Sequence, residues 1–236
     1  RSPHHSASLV SIVGGGNPPR PGEITLAHNG ILFLDEFAEF PRGVIEALRQ
    51  PIEDRVITVA RAGVSAEFPA HCLLVAAINP CPCGYKNDPQ HECCCTQQQL
   101  LLYRKKLSGP ILDRIDLHIT VPAVPVRDLL HNKTQEQPSA AYRQAVVRAR
   151  EIQAARYNGT GPAANSALSS KNIATICICD TPARLLLERA VDKLKLSARG
   201  YHKVLKVART IADLDGSEVI NSRAIAEALQ YRPVRG

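Results

Sequence analysis

Two short apolar runs, each ending abruptly in polar side chains, constrain this chain more than any other feature. The first is GILFLDEF, residues 30–37, in which Ile31, Leu32, Phe33 and Leu34 run into the adjacent carboxylates Asp35 and Glu36. The second is CLLVAAINP, residues 72–80, which ends at Asn79 and Pro80. Uninterrupted apolar runs this short read as strands buried on both faces, the pattern of a parallel sheet covered by helices. Between them the period changes. PRGVIEALRQPIED predicts a helix that opens at Pro41 and stops or kinks at Pro51. VITVAR and VSAEF, around Ala62-Gly63, predict a β-hairpin. TQQQLLLYRKKL predicts a helix closed by Ser108-Gly109-Pro110, and IDLHITVP a short alternating strand.

Residues 122–138 are polar and contain proline, and a linker is expected there. Beyond it the pattern is helical over 139–157, 182–194, 199–214 and 222–231, with Asn221 before the last helix as an N-cap signal. The expected class is therefore α/β over residues 1–121, then a smaller helical domain over 139–236. Charge divides the same way. Residues 1–138 carry 13 Lys and Arg against 14 Asp and Glu, whereas residues 139–236 carry 16 against 8. The excess positive charge of the helical part suits a polyanion such as nucleic acid, or a nucleotide site, or is simply a solvated helical surface. Lys203, Lys206 and Arg209 are expected on such a solvated basic face. With 4% aromatic residues, a base-stacking platform is not expected. No apolar run is long enough to cross a membrane, and the first residues, RSPHHSASLV, lack the apolar region of a secretory signal.

Five of the eight cysteines fall within residues 81–95: Cys81, Cys83, Cys93, Cys94 and Cys95. Without a secretory signal, clustered thiols favour a reduced compartment and a metal site over a disulfide framework. Cys81-x-Cys83 and Cys93-x-Cys95 could close a tetrahedral Zn²⁺ site, with Cys94 pointing away and His91 as reserve ligand. Four protein ligands leave no open position, so such a zinc is structural. The other reading is a set of free thiols. Cys72, Cys177 and Cys179 lie in apolar stretches and read as core residues. The pair His4-His5 has no placed partner in the sequence.

The carboxylates at the end of the first run have a specific use in nucleotide hydrolysis. One can hold Mg²⁺ while the next orients or deprotonates the attacking water, an arrangement known as Walker B. That assigns Asp35 to the metal and Glu36 to the water. Acids capping a strand beside a helix N-terminus are the plainer reading. Asn79, ending the second run, could share a γ-phosphate or water with Glu36. In SGPILDRIDL, Arg114 stands between Asp113 and Asp116. It is either a surface arginine paired with one of them or a stabiliser of a transferring phosphoryl group in a neighbouring subunit. Arg199 opens a helix with a clear apolar stripe.

With these residues in this order, the chain resembles AAA+ ATPases. It is closest to their magnesium-chelatase-like branch, the ComM/YifB family. The resembling segments are PHHSAS, VGGGNPPRPGEITLAHNGILFLDEF, NPCPCGY, SGPILDRIDLHITVP and LSARGYHKVLKVARTIADLDG, spread over nearly the whole chain. The resemblance implies a partial AAA+ core, with a parallel sheet, flanking helices and a β-hairpin insert, followed by a helical lid. Asp35 and Glu36 become Walker B, Asn79 sensor 1, Arg114 the arginine finger and Arg199 sensor 2. ATP and Mg²⁺ are the implied cofactors. A cytoplasmic homo-oligomeric ring, a hexamer, acting on branched or single-stranded DNA in recombination and natural transformation is the implied assembly. Arg20, in a loop that faces the ring channel in that family, and Arg61 in the hairpin become candidate DNA contacts, though ordinary surface loops explain both as well.

One departure limits the match. No G-x-x-x-x-G-K-[ST] occurs in the 236 residues, so no lysine is placed to reach the β- and γ-phosphates. The chain thus reads as the C-terminal part of a longer protein, inactive alone for want of a P-loop. A magnesium-chelatase motor subunit is the first alternative, although chelatase motor subunits lack the NPCPCG loop. A zinc-stabilised, non-enzymatic nucleic-acid-binding module is the second.

Overall fold

A computed structural model gives the protein as two compact units, Arg1–Ile115 and Asp116–Gly236. It describes residues 1–61, 64–86, 88, 90–107, 109–122, 124, 139–158 and 164–232. The expected linker, the hairpin turn Ala62-Gly63 and part of the 157–170 loop lie outside the described residues.

The first unit opens with helix α1 (Leu9–Val13), the short ribbon β1 (Gly14–Gly15) and β2 (Arg20–Pro21), and α2 (Glu23–Leu26). Strand β3 (Ile31–Leu34) pairs in parallel with β6 (Leu73–Ala76), in the register Ile31↔Leu73 to Leu34↔Ala76. Along the other edge of β3, the Arg1 amino group donates to the Ile31 carbonyl at 2.8 Å and the Phe33 amide donates to the Arg1 carbonyl at 2.9 Å. The crossover between β3 and β6 carries α3 (Arg42–Ala47), α4 (Arg49–Asp54) and the antiparallel hairpin β4 (Val56–Arg61) and β5 (Val64–Pro69). The break expected at Pro51 falls instead at Leu48, and a second helix, with Pro51 in its first turn, runs on to end at left-handed Arg55. After β6 come α5 (Gln97–Lys106) and α6 (Gly109–Leu112). Leu32, Leu34, Phe37, Phe40, Val44, Ile45, Leu48 and Ile111 form the heart of this core.

The parallel pair was expected to be buried on both faces, and it is not. Leu32 and Leu34 are buried, but Ile31 and Leu73 are 52% and 61% exposed and Phe33 and Val75 are also open. Since side chains alternate along a strand, the even positions of β3 face the core and the odd ones, with Leu73 and Val75, line an uncovered apolar face. Exposed apolar area of this kind binds hydrophobic dyes. Phe33→Thr combined with Val75→Thr should lower ANS fluorescence of the chain while changing its stability by less than about 0.5 kcal/mol per site in urea titration. The strand expected over IDLHITVP is also absent. Residues 115–122 form no ladder among the described residues, and Leu117, Ile119 and Val121 are exposed. A period-2 pattern makes a strand only where a neighbouring edge accepts it.

The second unit is helical: α7 (Ser139–Tyr157), α8 (Ser170–Ile176), α9 (Thr181–Leu194), α10 (Ala198–Leu214) and α11 (Ser222–Gln230). Ser169, Asp180, Ser197 and Asn221 each accept a backbone N–H from the first turn of the helix they precede. Helix α8 was not expected; its seven residues are too few to establish a period, and its cap Ser169 sits among the small polar residues of a loop. Cys177 lies in this core, where burial raises its thiol to about 11, and Cys179 packs against it. Within the described residues no helix is long and apolar enough to cross a membrane.

The solvated basic face expected at Lys203, Lys206 and Arg209 is largely internal. Arg209 is 1% exposed, its guanidinium held by Asp213 and by the carbonyls of Ser217 and Glu218. Lys203 pairs with Asp116 at 2.6 Å, and burial lowers its pKa against the pull of that carboxylate. Lys206 donates to the Ser166 carbonyl at 3.1 Å. Asp213 is the i,i+4 neighbour of Arg209 on α10, but the partners of Lys203 and Lys206 come from other segments, which the helix alone does not encode.

Candidate functional site

The backbone ladder of β3 and β6 runs one step past the strands. Ala77 N–H donates to the Leu34 carbonyl at 3.0 Å, and Phe37 N–H to the Ala77 carbonyl at 2.9 Å. Asp35 and Glu36 are thereby held beside the chain that leads from Ala77 to Asn79, at the carboxyl ends of two adjacent parallel strands. Ligands of open α/β sheets bind at that end. All three side chains are exposed. Asp35 accepts the Glu36 amide at 3.0 Å. Glu36 occupies the left-handed region, with φ of 49° and ψ of 45°, unusual for a residue with a Cβ and common at functional turns. Its carboxylate lies 3.0 Å from Nδ1 of His5. The histidine pair that had no partner in the sequence thus joins the site, because the segment beside β3 leads into it. Adjacent exposed carboxylates offer the hard oxygen donors that Mg²⁺ takes, so the residues present fit that ion. The sequence carries no G-x-x-x-x-G-K-[ST] phosphate loop beside them.

Tyr103, on α5, is a residue the sequence reading missed. Its hydroxyl donates to the Asn79 carbonyl at 3.0 Å, and its ring is buried. Burial above all, then the charges of Glu39, Cys81 and Glu36, raises its pKa. Lys106, one turn further along α5, reaches Glu39 at 3.0 Å. A buried tyrosine requires a partner for its hydroxyl; its place in TQQQLLLYRKKL was the available signal.

The cysteines converge as their spacing suggested. The Sγ atoms of Cys81, Cys83, Cys93 and Cys95 all lie within 4.8 Å of one another. Cys81 to Cys83, Cys83 to Cys93 and Cys81 to Cys93 measure 3.4, 3.6 and 3.7 Å. Four sulfurs at Zn–S bonds of about 2.3 Å sit about 3.8 Å apart at tetrahedral corners, so the cluster is close to the size a metal needs. The Lys86 amide donates to Cys81 Sγ at 3.3 Å. The Tyr85 amide, working against burial, draws the Cys83 thiol down to about 6. Burial, ahead of its thiol neighbours, pushes Cys95 up to about 12. Gly84, with φ of +84°, closes the turn from Cys81 in a conformation that a side chain would strain. Cys94 is exposed, and His91 turns to Asp88 and Tyr85.

The remaining candidates fall elsewhere. Arg114 donates to Glu53 at 2.8 Å and to the Pro110 carbonyl at 2.8 Å, lining a groove with Glu46, Arg49 and Thr58. Arg199, half-buried, lies in the first turn of α10, in the second unit. Arg20 is exposed at the foot of the β1–β2 ribbon, and Arg61 ends β4 beside the hairpin turn.

A parallel sheet carrying paired carboxylates at its carboxyl edge, followed by a helical unit, defines a partial AAA+ architecture. Residues 1–129 match the family described as magnesium chelatase, subunit ChlI, and residues 136–232 match its C-terminal family. The chain belongs to this magnesium-chelatase family, in its ComM/YifB branch. It is 47% identical to competence protein ComM of Haemophilus influenzae over 98% of its length and 44% of that protein's. It is 44% identical to the uncharacterized protein YifB of Escherichia coli over 99% of its length and 45% of that protein's. It thus spans less than half of these relatives. A 100-residue stretch is 30% identical to DNA replication licensing factor mcm6 of Dictyostelium discoideum, covering 42% of this chain and 10% of that protein. The family is related to AAA+ ATPases and uses nucleotide and Mg²⁺.

Proposed function

We propose that this chain is the C-terminal part of an ATP-driven DNA motor, a helicase or branch-migration enzyme of recombination and natural transformation. The observation that carries the reading is the juxtaposition of Asp35, Glu36 and the Asn79 segment at the ends of β3 and β6. In it Asp35 would hold Mg²⁺, Glu36 takes or orients the proton of the attacking water, and Asn79 orients that water and the terminal phosphate. Bound Mg²⁺ supplies positive charge at the phosphate oxygens. His5 keeps the Glu36 carboxylate oriented. Arg114 and Arg199 serve as arginine finger and sensor 2 in a homo-oligomeric ring, a cytoplasmic hexamer. The zinc site braces the 81–95 loop. Arg20 and Arg61 contact the DNA backbone. A relative named a competence protein and another named a DNA replication licensing factor support nucleic acid as the partner.

The test is ATP turnover by the full-length protein with and without branched DNA. Turnover that rises with branched DNA is expected, whereas the 236-residue chain alone should be inactive. Binding to DNA should weaken steeply with salt, and Arg20→Ala should reduce the salt slope by about one. Turnover indifferent to DNA but responsive to a porphyrin would replace the DNA reading with a chelatase one. DNA binding by a full-length protein that hydrolyses no ATP would leave the non-enzymatic module.

A further inference from the structure

The four thiols and Asn79 of the nucleotide site are parts of one short stretch of chain. Cys81 follows Asn79 by two residues, and Cys95 directly precedes Thr96, the N-cap of α5. Thr96 and Gln99 close a capping box, each side chain satisfying the other's backbone N–H at 3.3 and 2.8 Å. The start of α5 is therefore rigid relative to Cys95. Tyr103 lies seven residues beyond that cap, two turns along on the same face. From there its hydroxyl returns to the Asn79 carbonyl, and Lys106 to Glu39, three residues after Glu36. Strand end, sulfur cluster and helix thus form a closed triangle whose corners are Asn79, the four sulfurs and Tyr103.

We propose that a zinc ion bound by Cys81, Cys83, Cys93 and Cys95 sets the position of Asn79 through α5 and Tyr103, so that the metal is a positioning element of the nucleotide site. The proposal rests on the nucleotide reading of Asp35, Glu36 and Asn79. The ion joins the two ends of a loop whose span would otherwise be set by fourteen backbone steps between Cys81 and Cys95. Each such step is free to rotate about two dihedrals. The backbone amide of Lys86 already donates to Cys81 Sγ, the outer-shell support that metal thiolates use. With the ends joined, α5 has one position, and the Tyr103 hydroxyl fixes the height of the Asn79 carbonyl and hence of the side chain on the same residue. Without the ion the four sulfurs have no common partner, and the hydroxyl loses its fixed base. Tyr103 is a positioning residue in this scheme and touches no substrate.

Three measurements separate the parts. Purified full-length protein should retain one zinc per chain, and Co²⁺ in its place should give the intense spectrum of a tetrahedral tetrathiolate centre. Cys95→Ser should abolish both, and Cys94→Ser neither. A chain that holds no metal, or that loses it equally on Cys94→Ser, overturns the site. In the full-length protein, Tyr103→Phe should keep its zinc and its KM for ATP but lower kcat roughly two- to tenfold, the effect of one lost hydrogen bond. Unchanged kcat with zinc retained overturns the positioning role. Glu36→Gln run alongside reports on the nucleotide reading itself, because turnover that survives it places that failure upstream of the zinc.

Discussion

Glu36→Gln in the full-length protein should lower kcat for ATP hydrolysis by roughly 10² to 10⁴, the range for removing a positioned general base, with little change in KM. Gln is close to isosteric with Glu, and its amide oxygen can still accept from His5 Nδ1, 3.0 Å from the carboxylate. The left-handed backbone at this position, φ 49°, is as demanding for Gln as for Glu, so the substitution adds no new strain. What disappears is the negative charge and the capacity to take a proton. Loss of turnover with intact nucleotide binding therefore reports chemistry rather than folding. Asp35→Asn should act differently, raising the Mg²⁺ concentration needed for turnover, since it weakens a ligand and leaves the base in place. Steady-state rates across a Mg²⁺ titration, with a fluorescent nucleotide to follow binding, distinguish the two. If Glu36→Gln keeps more than a tenth of the rate, the carboxylate is not the base.

How much of this was legible in the sequence depends on the range of the interaction. The parallel strands, the hairpin and the longer helices were readable because their periods and caps are local. Asn221 as the cap of α11 is an example, its side chain accepting the Ala224 amide at 2.9 Å. The cysteine spacing was readable because ligands two residues apart on a turn converge whatever surrounds them. Partners distant in sequence were not. Arg114 stood between Asp113 and Asp116, and nothing in that neighbourhood pointed to Glu53, a carboxylate it grips from sixty-one positions away. His5 found Glu36, and Tyr103 found Asn79, by the same kind of long return. The expected burial of β3 and β6 failed for another reason. Composition says that Ile31, Phe33, Leu73 and Val75 are fit to be covered, and it does not say by what.

The charge of the helical part shows the same limit, and it carries the second large effect. Asp213→Ala should cost the second unit about 3 to 5 kcal/mol, the price of stripping one partner from a buried ion pair. The Asp213 side chain is wholly buried. It accepts from Arg156, at 2.9 Å on one oxygen and through a second contact on the other, from Arg209 Nε at 3.1 Å and from Asn165 Nδ2 at 2.8 Å. Asn165 in turn accepts the Tyr157 hydroxyl at 2.5 Å, so one carboxylate joins α7, the 165–167 turn and α10. Alanine would leave the Arg209 guanidinium, 1% exposed, without its counter-charge. Burial opposes ionisation of Asp213 and is the largest influence on it. Together, however, Arg156, Asn165 and Arg209 outweigh burial and hold the carboxyl below its ordinary range. A depressed folded pKa means that the contribution is complete above the unfolded value of about 3.9 and is lost as pH falls through the folded one. The gap between wild type and Asp213→Asn should therefore be widest near neutrality and close below about pH 4. Because two units need not unfold together, hydrogen exchange of the α7 and α10 amides is the proper readout. A loss under about 1 kcal/mol for Asp213→Ala, smaller than the range for breaking a buried pair, would mean that water reaches the cluster. A gap to Asp213→Asn that persists in acid would mean that packing, not charge, is what Asp213 provides.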